Sequence, residues 1–125
     1  MDVSIILINY KTPKLTLDAI NSVIEKSSGF EYEIIVVDNS NDLAEFKQLS
    51  ELVGGKAKLI NAEANLGFGK GNNLGAKSAS GEFLLFLNTD TLLINNAVFE
   101  LFNFIKKHDN VGAVGANLFS KDGKP

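Results

Sequence analysis

The 125 residues suffice for one domain, and a hydrophobic fraction of 45% with 22% charged residues is typical of a globular chain with a buried core. The net charge of -3 argues against nucleic-acid binding, and the absence of cysteine excludes disulfides and thiolate metal sites. All twelve basic residues are lysine, so a bound phosphate would rely on a metal ion, backbone N–H groups or lysine rather than on an arginine fork. The apolar run at 5–8 is too short for a signal peptide or a membrane span. We therefore expect a soluble cytoplasmic protein, which is compatible with a peripheral position at the inner face of the membrane.

The first half of the chain alternates short apolar runs with segments of helical spacing. The run from Val3 to Ile8 predicts a buried strand, and Thr12 followed by Pro13 predicts the cap and first residue of a helix that ends near Gly29. The pattern then repeats, with strands predicted over 33–38 and 58–61 and a helix over 43–52.

A glycine-rich stretch follows the third predicted strand. Its glycines at 67, 69, 71 and 75 each disfavour a helix by ~1 kcal/mol, so the sequence predicts a helix only over 72–80. A chain accepts such glycines where its backbone must approach another group closely. Asn72 stands where a G-x-G-x-x-G fingerprint needs its third glycine, and no G-K-[ST] is present, so the stretch is not a P-loop.

The second half is organised around an apolar run at 83–87, which predicts a strand buried on both faces of a parallel sheet. Further elements are a helix that follows Asn95 and Asn96, a short strand over 111–114, an element beginning at Leu118–Phe119 and a turn over 120–125. The alternation predicts an α/β fold, with a mostly parallel sheet between two layers of helices.

Three predicted strands end in polar groups, which lie at 9–10, 38–39 and 88–90. Parallel strands present their carboxyl ends at one edge of a sheet, so Asp38 and Asp90 are predicted to face one crevice. Two carboxylates without arginine, beside a glycine-rich turn, suit Mg²⁺ or Mn²⁺ bound to a diphosphate. Alternatively, such residues accept hydrogen bonds from a ribose or a base, or only cap the next helix.

These segments together resemble the family-two glycosyltransferases of the GT-A fold, especially the rhamnosyltransferase-like branch of bacterial polysaccharide synthesis. The most diagnostic segments are Asn-Leu-Gly-Phe at 65–68 and Asn-Thr-Asp at 88–90. The resemblance covers residues 1–125 but only the first half of such an enzyme. It implies a Rossmann-like three-layer sandwich whose C-terminal part is missing.

The resemblance also implies a role for each matching residue. Asp38, with Asn39 beside it, matches the acid that hydrogen-bonds the nucleotide base, and Asn9 and Tyr10 match residues that line the base pocket. The turn and helix start that cover the donor are matched by Asn65, Gly67, Phe68 and Asn72. Asn88, Thr89 and Asp90 match the D-x-D motif, in which Asn replaces the first acid. Asp90 is then the metal ligand, for Mn²⁺ or Mg²⁺, and Asn88 the ribose contact.

The activity implied by the resemblance is an inverting transfer of a sugar from a UDP-, dTDP- or GDP-sugar to a saccharide or lipid-linked acceptor. No residue after Val111 matches the family's catalytic base, which is expected beyond Pro125. The chain is thus expected to be a fragment that binds donor without transferring it, and its exposed apolar surface would favour homo-oligomers.

Three other functions compete with this one. The first is a nucleotide-binding module without turnover. A sugar-phosphate nucleotidyltransferase would need a glycine-rich, arginine-bearing loop after the first strand, which 9–13 does not provide. A phosphoacceptor receiver domain would need an acid pair near the first strand, where Asn9 stands instead.

Overall fold

The computed structural model describes residues 1–117, and the elements predicted at 118–119 and 120–125 lie outside the described residues. Within 1–117, strands and helices alternate: β1 (Val3–Asn9), α1 (Pro13–Lys26), β2 (Tyr32–Asp38), α2 (Leu43–Val53), β3 (Lys58–Asn61), α3 (Gly67–Lys77), β4 (Phe83–Phe86) and α4 (Ala97–Lys107). All strand pairs are parallel, and the strand order is β3-β2-β1-β4. The predicted α/β fold with a parallel sheet is confirmed.

Helices cover both faces of the sheet because alternate residues of a strand point to opposite sides. On one face, Ile5 and Leu7 of β1 join a fully buried cluster with Ile20 of α1 and Leu49 of α2. On the other face, Ile6 of β1 lies against α3. The sheet is therefore the middle of three layers, as predicted.

The third helix begins at Gly67, so the prediction that the helix starts only at 72 was wrong. Its glycines allow a close approach to the sheet. A Cβ on Gly75 would lie 2.7 Å from Ile6 Cγ2, and one on Gly71 would lie 2.9 Å from Asn39 Nδ2. Tight packing offsets the poor helix propensity of these residues, which the local pattern alone does not show.

Two glycines of α3 provide a matched test of this packing. Gly69→Ala should stabilise the protein by ~1 kcal/mol, because nothing lies within 4 Å of a Cβ there and alanine is the better helix former. Gly75→Ala gains the same propensity but collides with the branched, buried Ile6, and should destabilise the protein by about 1–3 kcal/mol. Urea denaturation of both variants measures the difference, and equal effects would contradict the packing argument.

The fourth strand is partly exposed rather than buried on both faces, so that prediction was also wrong. Leu84 is 43% exposed and Phe86 49% exposed. Among the described strands β4 is an edge, paired only with β1. The strand predicted over 111–114 does not form either, because no described strand pairs with it; residues 112–114 instead line an apolar groove of about 580 Å³ beside β4.

At the amino ends of the strands, the carboxylate of Glu33 connects β2 to β1 and to the loop before β4 through hydrogen bonds. Glu33 Oε2 accepts hydrogen bonds from Ser4 Oγ (2.6 Å), Ser80 N (2.7 Å) and Ser80 Oγ (2.8 Å). Partial burial raises the pKa of Glu33, but these hydrogen bonds and the charge of Lys58 together outweigh burial, so its pKa lies below the ordinary value of 4.5. The ionised form therefore stabilises the fold.

Acid should weaken this contact. Because the folded-state pKa of Glu33 is depressed, its contribution is complete above pH 4.5 and is lost as the pH falls through the folded-state pKa. Glu33→Gln should lower the free energy of unfolding by ~1 kcal/mol at neutral pH and by less in acid. Thermal unfolding between pH 3 and 7 tests this, with the exposed Glu51→Gln as control. A constant difference at every pH would refute the argument.

Candidate functional site

The carboxyl ends of the strands gather polar side chains at one edge of the sheet. Asn9 of β1 pairs in register with Asp38 of β2, which pairs with Asn61 of β3. On the other side of β1, Leu87 N donates to Ile6 O at 2.9 Å, so residues 88–90 leave the sheet from the same edge. The predicted convergence of the strand ends is therefore present.

The carboxylate of Asp38 is buried and held by three hydrogen bonds. Its Oδ1 accepts from Asn9 Nδ2 at 3.1 Å and from Ser40 N at 3.2 Å, and its Oδ2 accepts from Ser40 Oγ at 2.9 Å. Asp38 is only 1% exposed. Since a carboxylate offers about four acceptor positions, these hydrogen bonds leave one position on Oδ2 unused among residues 1–117.

The side chain of Asn9 supports this carboxylate and is itself fully buried. Its Oδ1 accepts a hydrogen bond from Thr16 Oγ1 at 2.8 Å and a longer one from Thr12 Oγ1 at 3.4 Å. Asn9 thus links α1 to Asp38. Neither Thr16 nor Ser40 was among the predicted site residues.

The turn before α3 is held against the end of β2. Asn39 Nδ2 donates to Gly67 O at 2.9 Å, and Asn65 Oδ1 accepts from Gly67 N at 3.1 Å. Gly67 has a φ of 77°, a conformation that favours glycine. The Oδ1 atoms of Asn39 and Asn72 are buried without a hydrogen-bond partner. Three predicted site residues, Asn39, Asn65 and Gly67, therefore meet at this turn, and Asn72 follows in α3.

The two predicted aromatic site residues are exposed. Tyr10 is 49% exposed and directly follows Asn9 at the end of β1, and Phe68 is 57% exposed in the first turn of α3. Aromatic rings this accessible are available for stacking on a ligand.

The segment from Asn88 to Asp90 lies in a turn after β4. Thr91 donates to Asn88 O through its backbone N at 3.2 Å and through its Oγ1 at 2.6 Å. Asn88 and Asp90 are exposed and Thr89 is partly buried. Asp90 is therefore accessible to solvent, whereas Asp38 is not.

The donor set at this edge fits a metal that is also bound by a phosphate ligand. Among residues 1–117, no group of three or more histidine, aspartate or glutamate residues could hold an ion. Mg²⁺ and Mn²⁺ are often held by one or two carboxylates together with substrate phosphates and water. Asp90 supplies one such carboxylate, the smaller of these two numbers.

The two described cavities are apolar grooves beside β4 and α4. Both are lined by Leu87, Leu93 and Leu101. Neither is lined by Asn9, Asp38 or Asn39, but one of them reaches the polar edge of the sheet at Asn88.

Comparison with known proteins assigns the family. A sequence profile described as Glycosyl transferase family 2 matches residues 4–125. The chain belongs to this family. This confirms the resemblance to family-two glycosyltransferases, while the rhamnosyltransferase-like branch stays a prediction.

Several family 2 relatives are similar along nearly the whole chain. Poly-beta-1,6-N-acetyl-D-glucosamine synthase of Staphylococcus epidermidis is 29% identical over 120 residues, which cover 92% of this chain and 28% of the synthase. O-antigen biosynthesis protein RfbC of Myxococcus xanthus is 29% identical over 122 residues, covering 97% of this chain and 10% of RfbC. The structure of S. aureus TarS 1-349 in complex with UDP matches with a TM-score of 0.72 and 29% identity, covering 94% of this chain and 38% of TarS 1-349.

These coverages show that the chain spans well under half the length of these relatives. The TarS match also confirms the GT-A fold. Among residues 1–117, no helix is both long and apolar enough to cross a membrane.

Proposed function

We propose that this chain forms the nucleotide-sugar-binding part of a glycosyltransferase of cell-surface polysaccharide or teichoic acid synthesis. The proposal rests chiefly on the carboxyl edge of the sheet, where the oriented carboxylate of Asp38 ends β2 and the exposed carboxylate of Asp90 follows β4, the two strands that flank β1 in a family 2 fold. A site with one buried and one solvent-facing acid suits a ligand with a hydrogen-bonding base and a metal-bound diphosphate.

The proposed ligand of Asp38 is the base of the donor nucleotide. Three of its roughly four acceptor positions are used, so it can accept one N–H donor, such as the imide N–H of uracil. UDP is the ligand in the similar TarS structure and is our first candidate, ahead of dTDP and GDP. Because Asp38 is 1% exposed, a covering group must move aside when the base binds.

The diphosphate is proposed to lie near Asp90, with Mn²⁺ or Mg²⁺ held by this carboxylate. The metal would neutralise charge on the leaving nucleoside diphosphate. Asn88 is the proposed ribose contact and Thr89 part of the same turn. Tyr10 and Phe68 offer exposed rings to the base or the sugar.

Transfer itself is proposed to invert the anomeric carbon, with the acceptor hydroxyl deprotonated by a carboxylate from outside residues 1–117. The acceptor is proposed to be a saccharide or a lipid-linked saccharide. Donor binding without transfer is then expected of this chain alone. Cytoplasmic location, association with the inner membrane face and self-association also stay proposals, the last supported by the exposed Leu84 and Phe86 on β4.

A nucleotide-binding module without turnover is the second candidate. It is favoured by Asn88, which leaves Asp90 as the single carboxylate of the 88–90 segment. One carboxylate binds a divalent cation more weakly than two. This candidate predicts nucleotide binding that is the same with and without metal.

Calorimetric titration with UDP, dTDP and GDP, with and without Mn²⁺, tests the proposal. The glycosyltransferase site predicts binding of one nucleotide that is tightened by the metal. Nucleotide binding of equal affinity with and without Mn²⁺ supports the second candidate. No binding of any nucleotide would contradict both.

A further inference from the structure

A buried hydrogen-bond relay connects helix α1 to the proposed base-binding acid. Thr16 Oγ1 donates to Asn9 Oδ1 at 2.8 Å, and Asn9 Nδ2 donates to Asp38 Oδ1 at 3.1 Å. Thr16 and Asn9 are each 0% exposed. Both side chains are buried in this structure, and their hydrogen bonds give α1 a route to influence Asp38.

The relay fixes which way the Asn9 amide faces. A carboxylate only accepts hydrogen bonds, so the amide must turn its NH₂ group toward Asp38 and its oxygen toward α1. That oxygen needs a donor, and Thr16 supplies the short hydrogen bond, whereas Thr12 is 3.4 Å away. An amide turned the other way would set oxygen against oxygen at Asp38, which is repulsive.

We infer that Thr16 is a positioning residue that sets base selectivity through Asn9 and Asp38. The inference rests on the proposed function, in which Asp38 accepts the imide N–H of uracil. Cytosine carries an acceptor at the same ring position, so a correctly held carboxylate favours UDP over CDP. A carboxylate that has lost its fixed partner can shift, and then it distinguishes the two bases less well.

The test measures UDP and CDP affinities of the full chain by calorimetry in the presence of Mn²⁺. Thr16→Val keeps the shape of the side chain but removes the hydroxyl. It should weaken UDP binding about tenfold and reduce the preference for UDP over CDP by a similar factor. Thr16→Ser keeps a hydroxyl and should therefore retain both the affinity for UDP and the preference for UDP over CDP. Thr12→Val removes only the long contact and should change the preference much less.

The outcomes separate the relay from the proposed function. If the unmodified chain binds UDP and Thr16→Val keeps the full preference over CDP, the relay is refuted and the proposed function stands. The relay is also refuted if Thr16→Val weakens UDP binding and CDP binding by the same factor, because a general loss of structure produces that result. It is likewise refuted if Thr16→Ser does not recover UDP affinity and the preference for UDP. If the unmodified chain binds neither nucleotide, the proposed function falls and the relay with it.

Discussion

Replacing Asp90 with asparagine should remove the metal dependence of UDP binding and weaken binding in Mn²⁺ by about 100-fold, the upper range for disturbing a metal site. Asparagine keeps the size and the turn but carries no charge. Asp90 is exposed, so the variant should retain the thermal stability of the unmodified chain. Calorimetry with UDP at several Mn²⁺ concentrations measures the effect.

The matched control is Asp109→Asn, which removes an exposed carboxylate in the turn after α4 and should leave UDP binding unchanged. The converse variant is Asn88→Asp, which provides two carboxylates in the 88–90 segment and should lower the Mn²⁺ concentration needed for UDP binding. If Asp90→Asn binds UDP with unaltered metal dependence, Asp90 is not the metal ligand.

Replacing Gly81 with alanine should produce the largest loss of stability, about 3 kcal/mol or more. A Cβ at this position would lie 2.5 Å from Ser4 N and 2.7 Å from the carbonyl carbon of Val3. Both are backbone atoms of the central strand, so no side-chain rotation relieves the collision. Moving residue 81 away from β1 to relieve the collision would also strain the hydrogen bond from Gly81 N to Ser4 Oγ, which measures 2.8 Å.

Thermal unfolding followed by circular dichroism measures this loss, which corresponds to a melting temperature lower by about 10 °C. Gly55→Ala is the control, because nothing lies within 4 Å of a Cβ there, and its effect should stay within about 0.5 kcal/mol. A Gly81→Ala melting temperature close to that of the control would show that β1 and the loop before β4 are farther apart than described.

The strand ends could be predicted from the sequence because the local pattern carries the signal. Apolar runs stop abruptly at Asn9, Asp38 and Asn88, and parallel strands bring such ends to one edge. The helix α2 was also predictable, since Asp42 caps it through hydrogen bonds to Ala44 N and Glu45 N.

Features that depend on packing could not be predicted in the same way. In α1 the apolar Ile24 is 42% exposed, whereas the polar Thr16 is fully buried. A threonine among apolar residues gives no sign that its hydroxyl meets Asn9 across the fold. The start of α3 at Gly67 depends on the approach of Gly75 to Ile6, a contact between residues far apart in the sequence.

Paramagnetic NMR locates the bound nucleotide on the sheet. Amide spectra of the labelled chain would be recorded with UDP and Mg²⁺, and then with a small amount of paramagnetic Mn²⁺. We expect Mn²⁺ to broaden the amide signals of residues 88–91, while those of Glu33 and Ser80, at the opposite edge of the sheet, stay sharp. UDP-dependent broadening at the opposite edge, or none at all, would contradict a donor site at the carboxyl ends of the strands.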